Sequence, residues 1–171
     1  MKSTTVFLFL TVMAISCLFT VQSCQKTEYP IEPEIIECIS FAEVVDPQDT
    51  ASKKGKLVFL FTDGDGDIGL NPEDTLYPFN TGSEYYYNLF IDYYERQNGT
   101  FVKVDLPVPM SARIPRMSNH TPEPIEVKLS IDIFLASKPK HDTIFLSFYL
   151  VDRELHKSNV MESPLLVRNR D

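Results

Sequence analysis

Segment 125–133 constrains the fold most strongly, because its apolar and polar residues alternate without a break. Isoleucine, valine and leucine occupy every second position, and glutamate, lysine, serine and aspartate lie between them. Side chains along a strand point to opposite faces in turn, so this period of two predicts a β-strand with one buried and one solvated face. Such a half-solvated strand is typical of antiparallel sheets.

Six further segments have the apolar and aromatic composition of strands and are separated by turn-rich stretches. They are 35–41, 56–62, 84–95, 101–104, 143–151 and 164–168. Asn98-Gly99 predicts a tight hairpin turn, and segment 143–151 is apolar on both faces, which predicts a central strand. No segment shows helical periodicity. The sequence therefore predicts an all-β fold, an antiparallel immunoglobulin-like β-sandwich of roughly seven strands, with a small barrel as the alternative.

The N-terminal segment has the pattern of an export signal, because Lys2 precedes an apolar run over 6–21. The run is shorter than the roughly 20 residues of a membrane-spanning helix. Val21-Gln22-Ser23-Cys24 resembles the bacterial lipobox, which implies cleavage before Cys24 and a diacylglycerol on its thiol. Cys17 is an alternative cleavage site, and an uncleaved anchor or a plain secretory signal is a further interpretation. Under each of these interpretations the domain is exported.

This organisation predicts three parts: a signal peptide over 1–23, a proline-containing tether over 24–34 and a β-sandwich domain over 35–171. The net charge of −8 argues against binding to nucleic acid and against electrostatic attraction to anionic lipid. If Cys24 carries lipid, Cys38 has no cysteine partner, and we expect it to act as a small apolar side chain.

The segment Asp63-Gly64-Asp65-Gly66-Asp67 is the most distinctive local feature. Three carboxylates within five residues repel one another unless a cation lies between them, and Ca²⁺ takes six to eight oxygen ligands. We therefore predict a calcium loop formed by Asp63, Asp65, Asp67 and Asp74. It is not an EF-hand, because Ile68 occupies the position of the required glycine and a strand precedes the loop. A metal-free turn is the alternative, since Asp and Gly are common turn residues.

Segment 58–69, which contains this acidic loop, resembles a stretch found in uncharacterised lipoproteins of Bacteroidota-type bacteria. Segments 148–153, 158–160 and 163–164 are similar to the closing strands of the same group. The resemblance implies an immunoglobulin-like sandwich, lipid-anchored in the cell envelope at the outer membrane, and it implies no particular activity. The expected partners are the membrane, through the N-terminal lipid, and an envelope protein or a glycan.

No catalytic site is predicted, and we expect a protein that is not an enzyme. His120, His141 and His156 lack the spacing of zinc ligands. Ser137 begins an SxxK pattern, but Pro139 opposes the helix that this motif requires. The tyrosines of segment 85–94, represented by Tyr86 and Tyr94, give an alternative function, a glycan-binding surface that uses aromatic stacking.

Overall fold

The computed structural model describes residues 27–45, 53–118, 122–136 and 140–168. The predicted signal peptide, both candidate lipidation sites (Cys17 and Cys24), His120 and Ser137 lie outside the described residues. The regular elements are β1 (Glu34–Val45), β2 (Lys53–Asp63), a 3₁₀ turn (Glu84–Tyr86), β3 (Leu89–Gln97), β4 (Thr100–Val104), β5 (Ile125–Phe134), β6 (Thr143–Leu150), β7 (Met161–Glu162) and β8 (Leu166–Val167).

The strands form two antiparallel sheets, which confirms the all-β prediction. The first sheet has the order β1-β2-β5, and the second has the order β4-β3-β6-β7, with β8 also paired to β6. The alternating segment of the sequence is β5, which pairs with β2 along its whole length. The strand predicted to be central, β6, pairs with β3 on one side and with β7 and β8 on the other. The immunoglobulin-like subtype remains a prediction.

Both sheets contribute to one hydrophobic core. From the first sheet, Phe59 and Phe61 on β2 are fully buried, and from the second sheet Phe148 on β6 is fully buried. The rings of Phe59 and Phe148 contact each other with centroids 4.9 Å apart. Burial of each such side chain contributes roughly 1.5–3 kcal/mol, so this contact between sheets is a main source of stability. Cys38 packs against the edge of this core, and burial raises the pKa of its thiol to about 11.

Two predicted strands differ in the structure. The strand predicted over 84–95 begins only at Leu89, because the first tyrosines lie in the 3₁₀ turn. The strand predicted over 164–168 is reduced to β8, and β7 forms outside the predicted strands. Residues 163–165 separate these two short strands, and the hydroxyl of Ser163 accepts the N–H of Leu146 at 3.0 Å.

The register brings several strand ends together at one end of the domain, which we call the acidic pole. β2 ends there at Asp63, which pairs with Ile125 at the start of β5. β1 also begins there, with Glu34 opposite Thr62. In the second sheet, β3 begins and β6 ends at this pole, with Leu89 opposite Leu150. The Asn98-Gly99 hairpin therefore lies at the opposite end.

Candidate metal centre

Three aspartates converge at the acidic pole from two different parts of the chain. Asp63 is the last residue of β2, Asp67 lies in the loop that follows, and Asp152 follows β6 after one intervening residue. One carboxylate oxygen from each residue lies within 4.8 Å of those of the other two. The sequence predicted the first two of these residues as ligands and missed Asp152.

Asp63 is the most deeply placed of the three, with 0% of its surface exposed. Its Oδ2 accepts the N–H of Ile68 at 2.8 Å, which folds the loop back over the end of β2. Its Oδ1 is buried and has no hydrogen-bond partner among the described residues. Burial raises the pKa of Asp63 to about 7, and the negative charges of Asp65, Asp67 and Asp152 act in the same direction. A buried, unpartnered carboxylate oxygen of this kind is costly unless a proton or a cation satisfies it.

The carboxylates of Asp67 and Asp152 are also largely shielded from solvent. Burial, together with the charge of Asp152, raises the pKa of Asp67 to about 6, although the N–H of Arg153 donates to its Oδ1 at 3.3 Å. Asp152 is 2% exposed, and burial raises its pKa. It is the better partnered of the two, because it accepts the backbone N–H of His156 at 2.7 Å and lies 2.9 Å from its Nδ1.

A second group of carboxylates adjoins the first and shares Asp67 with it. Oxygens of Asp65, Asp67 and Glu154 also lie within 4.8 Å of one another, and this group is more exposed. It opens into a cleft of about 450 Å³. The cleft is lined by both acidic and basic side chains and by one proline: Asp65, Asp67, Arg116, Pro122, Arg153 and Glu154.

Glycines permit the backbone path that brings these carboxylates together. Gly66 and Gly69 adopt φ values of 67° and 97°, in the left-handed region that disfavours other residues. A side chain at Gly66 would collide with the carbonyl oxygen of Glu123, and one at Gly69 with that of Pro115. The loop is therefore tightly packed against segments 115–116 and 123–125, unlike an exposed turn.

The structure does not bring Asp74, the fourth predicted ligand, into the cluster. Its Oδ2 accepts the N–H of Asn71 at 2.7 Å, and the Arg153 guanidinium binds both of its oxygens, with Nη2–Oδ1 at 3.0 Å. The hydrogen bond from Arg153 holds the pKa of Asp74 below its usual value. Asp74 thus positions Arg153, whose backbone N–H reaches Asp67, and it lies outside the two groups of carboxylates.

Tyr86 and Tyr94, the predicted glycan-binding residues, lie in different environments. Tyr86 is in the 3₁₀ turn, with its ring edge-on to Tyr87 and the guanidinium of Arg113 5.4 Å from its centroid. Tyr94 lies on the outer face of the second sheet and stacks on Phe145 with centroids 4.6 Å apart. No contact between described residues joins the two tyrosines into one surface.

Of the three histidines, His141 and His156 lie in the described part of the chain, and each is next to an acidic residue. His156 pairs with Asp152, and this hydrogen bond raises the pKa of the exposed imidazole. His141 lies 3.9 Å from Glu95 near the opposite pole. In the part of the chain that the structure describes, no helix has both the length and the apolar character needed to cross a membrane.

Comparisons with known proteins give no relative from which a role could be transferred. No protein-family model, no curated protein and no solved structure matches the chain. The proposed function is therefore based on the chemistry of the acidic pole.

Proposed function

We propose that this chain is an exported, lipid-anchored protein of the cell envelope at the outer membrane, a non-enzymatic binding module that holds Ca²⁺ at its acidic pole. The observation that carries the proposal is the convergence of Asp63, Asp67 and Asp152, with a fully buried Asp63 whose Oδ1 has no partner among the described residues. The lipid anchor rests on the lipobox-like segment that ends at Cys24.

Calcium suits this arrangement better than the other common metal ions. All the side-chain donors are carboxylate oxygens, which hard cations prefer, whereas zinc favours sulfur and imidazole nitrogen. Ca²⁺ also accepts irregular geometry and six to eight ligands, whereas Mg²⁺ requires a regular octahedron. Asp63, Asp67 and Asp152 would form the inner part of the shell, with Asp65 at its exposed side. Water and backbone carbonyls would supply the remaining ligands.

A charge argument also favours a cation over a metal-free turn. In a metal-free turn the aspartates are exposed to solvent, which screens the repulsion between their charges and keeps the cost of desolvating them small. Here Asp63 and Asp152 are buried, and the pKa values of Asp63, Asp67 and Asp152 are all raised. At neutral pH a bound divalent cation would offset this unfavourable charge.

Calorimetric titration with Ca²⁺ tests the proposal on the chain from residue 24 onward, with Cys24→Ser to prevent modification. We expect binding by the parent protein and loss of binding in Asp67→Asn, which removes a charge but keeps the shape of the side chain. Asp105→Asn is the matched control, because it makes the same change at an exposed position after β4. Absence of calcium binding in the parent protein, or equal loss in both variants, would contradict the proposal.

The same proteins should show linked stabilisation. A ligand at one hundred times its dissociation constant stabilises the folded state by about 2.7 kcal/mol. For a domain of this size the thermal midpoint should rise by about 8 °C in Ca²⁺ relative to EDTA. Asp67→Asn should melt at the same temperature in both conditions.

A glycan-binding surface is the second candidate, and the outer face of the second sheet favours it. Tyr94 stacks on Phe145, Phe101 contacts the same ring at 5.0 Å, and Phe90 stacks on Tyr149 at 4.9 Å. These rings form two groups on one face, and Asp92 and Ser147 lie between the groups. Binding to a glycan array that is lost in Tyr94→Ala and retained in Tyr86→Ala would support this function. An array without signal would count against it.

A further inference from the structure

The tether enters the domain at the acidic pole and is fixed there. Tyr29 Oη donates to Glu126 at 2.8 Å, next to the start of β5. The carbonyl groups of Tyr29 and Pro30 lie directly against Gly64, so closely that a Cβ at that glycine would overlap them. The first residues of the described chain therefore pack on the same loop that supplies Asp63, Asp65 and Asp67.

This contact limits how far the acidic pole can lie from an anchored N-terminus. Only five residue steps separate Cys24 from Tyr29, and a fully extended chain covers at most about 3.6 Å per residue. The free part of the tether therefore spans at most about 18 Å. The Asn98-Gly99 hairpin lies at the other end of the sheets, and β2 alone has 11 residues, which corresponds to about 35 Å.

The cleft at the acidic pole has the chemistry to accept a phosphate group once a cation is present. The carboxylates supply only part of a calcium shell, so coordination positions remain toward the cleft. Arg116 and Arg153 line the same cleft. Arg116 already donates to backbone carbonyls and Arg153 to Asp74, and the N–H groups that each guanidinium retains can donate to phosphate oxygens. Without the cation, Asp65, Asp67 and Glu154 face the cleft and would repel an anionic headgroup.

We infer that the acidic pole is the membrane-facing end of the domain and that bound Ca²⁺ docks it on the phosphate headgroups of the membrane that carries the anchor. This inference rests on the proposed lipid anchor and calcium site. It also accounts for how an acidic domain can approach an anionic membrane: the cation converts a repulsive surface into a bridging one. Removal of Ca²⁺ would release the domain to the length of its tether.

Energy transfer to the membrane surface tests the inference on the full lipidated chain, purified and reconstituted in vesicles of phosphatidylcholine and phosphatidylglycerol with a fluorescent headgroup acceptor. Cys38→Ser removes the free thiol, and a single donor is attached at Glu123→Cys near the acidic pole or at Thr100→Cys at the opposite end. Both positions are exposed. Mass measurement of the N-terminal peptide verifies the lipid on Cys24.

We expect more transfer from the label at position 123 than from that at position 100 in all conditions. We also expect Ca²⁺ to increase transfer from position 123 and EDTA to reverse the increase. Asp67→Asn should lose the calcium response, and Asp105→Asn should keep it. The response should also disappear in vesicles of phosphate-free galactolipid, because the bridging ligand is then absent.

The two proposals can fail separately. If calorimetry shows calcium binding but transfer from position 123 does not respond, the docking inference is wrong and the calcium site stands. A response that persists in galactolipid overturns the role of phosphate. Equal transfer from both labels overturns the orientation itself, and an unmodified Cys24 overturns the anchor on which the inference depends.

Discussion

The pKa of Asp63 leads to a prediction that can be made before any metal is added. Burial raises this pKa from 3.8 to about 7, so the folded state holds the proton more tightly than the unfolded chain does. Ionisation of Asp63 therefore destabilises the fold. The penalty is small below pH 4, grows as the pH rises, and is complete above about pH 7. At about 1.4 kcal/mol per pKa unit the full penalty is about 4 kcal/mol, of which about 2–3 kcal/mol develops between pH 5 and pH 8.

Asp63→Asn isolates this penalty, because asparagine stays neutral and can still accept the N–H of Ile68. In EDTA, we expect the free energy of unfolding of the variant minus that of the parent to increase by about 2–3 kcal/mol from pH 5 to pH 8. Urea unfolding at both pH values measures this increase. The subtraction removes the contributions of titrating groups that do not interact with Asp63, whereas Asp65, Asp67 and Asp152 titrate together with it. In Ca²⁺ at pH 8, the parent should gain stability that the variant does not gain. A difference that stays constant with pH would refute the argument.

Three other substitutions test the fold and the limits of the site. Gly69→Ala should destabilise the domain by about 2 kcal/mol or more in chemical unfolding, because its φ is 97° and a side chain would meet the Pro115 carbonyl; an unchanged midpoint would contradict the loop packing. Phe148→Ala should cost about 3–5 kcal/mol by the same measurement, since the ring is fully buried between the sheets. Asp74→Asn should lower calcium affinity by calorimetry much less than Asp67→Asn, because Arg153 already binds Asp74; an equal loss would place Asp74 in the site.

The sequence predicted the strands whose patterns depend on local burial. β5 follows from its alternation, and β6 from its apolar residues on both faces. The start of β3 could not be predicted in this way, because segment 84–86 has the composition of a strand. The structure of this segment depends on Arg113, which is distant from it in sequence. The Arg113 guanidinium donates to the carbonyl oxygens of Tyr86 and Phe79, and also to those of Asn71 and Asp74. Such a tertiary contact overrides β-propensity and leaves no periodic signal.

Part of the candidate site could likewise be predicted from residues that are close in sequence, and part depends on contacts between distant segments. Asp63, Asp65 and Asp67 are close in sequence, so their spacing alone predicted a cluster. Asp152 and Glu154 join them only because β6 ends at the same pole as β2, which depends on how the sheets pair and pack. The available signal was the predicted apolar strand over 143–151, which Asp152 follows directly. Asp74 was included because it is near in sequence, although Arg153 binds it elsewhere.

Within the described part of the chain, the two arginines near the cluster bind other groups and do not pair with the three converging carboxylates. Arg116 donates to the backbone carbonyls of Asp67 and Ser118, and the Arg153 side chain binds Asp74. Both guanidinium groups therefore fix the loop, and neither forms a side-chain ion pair with Asp63, Asp67 or Asp152 among the described residues. His156 pairs with Asp152, but no side-chain cation pairs with Asp63 or Asp67 among the described residues. If the acidic pole binds Ca²⁺ as proposed, its charge would depend on the calcium concentration, because the arginines fix the backbone of the loop and leave these carboxylates to a diffusible ion. The proposed reversible docking on a phosphate surface requires this dependence.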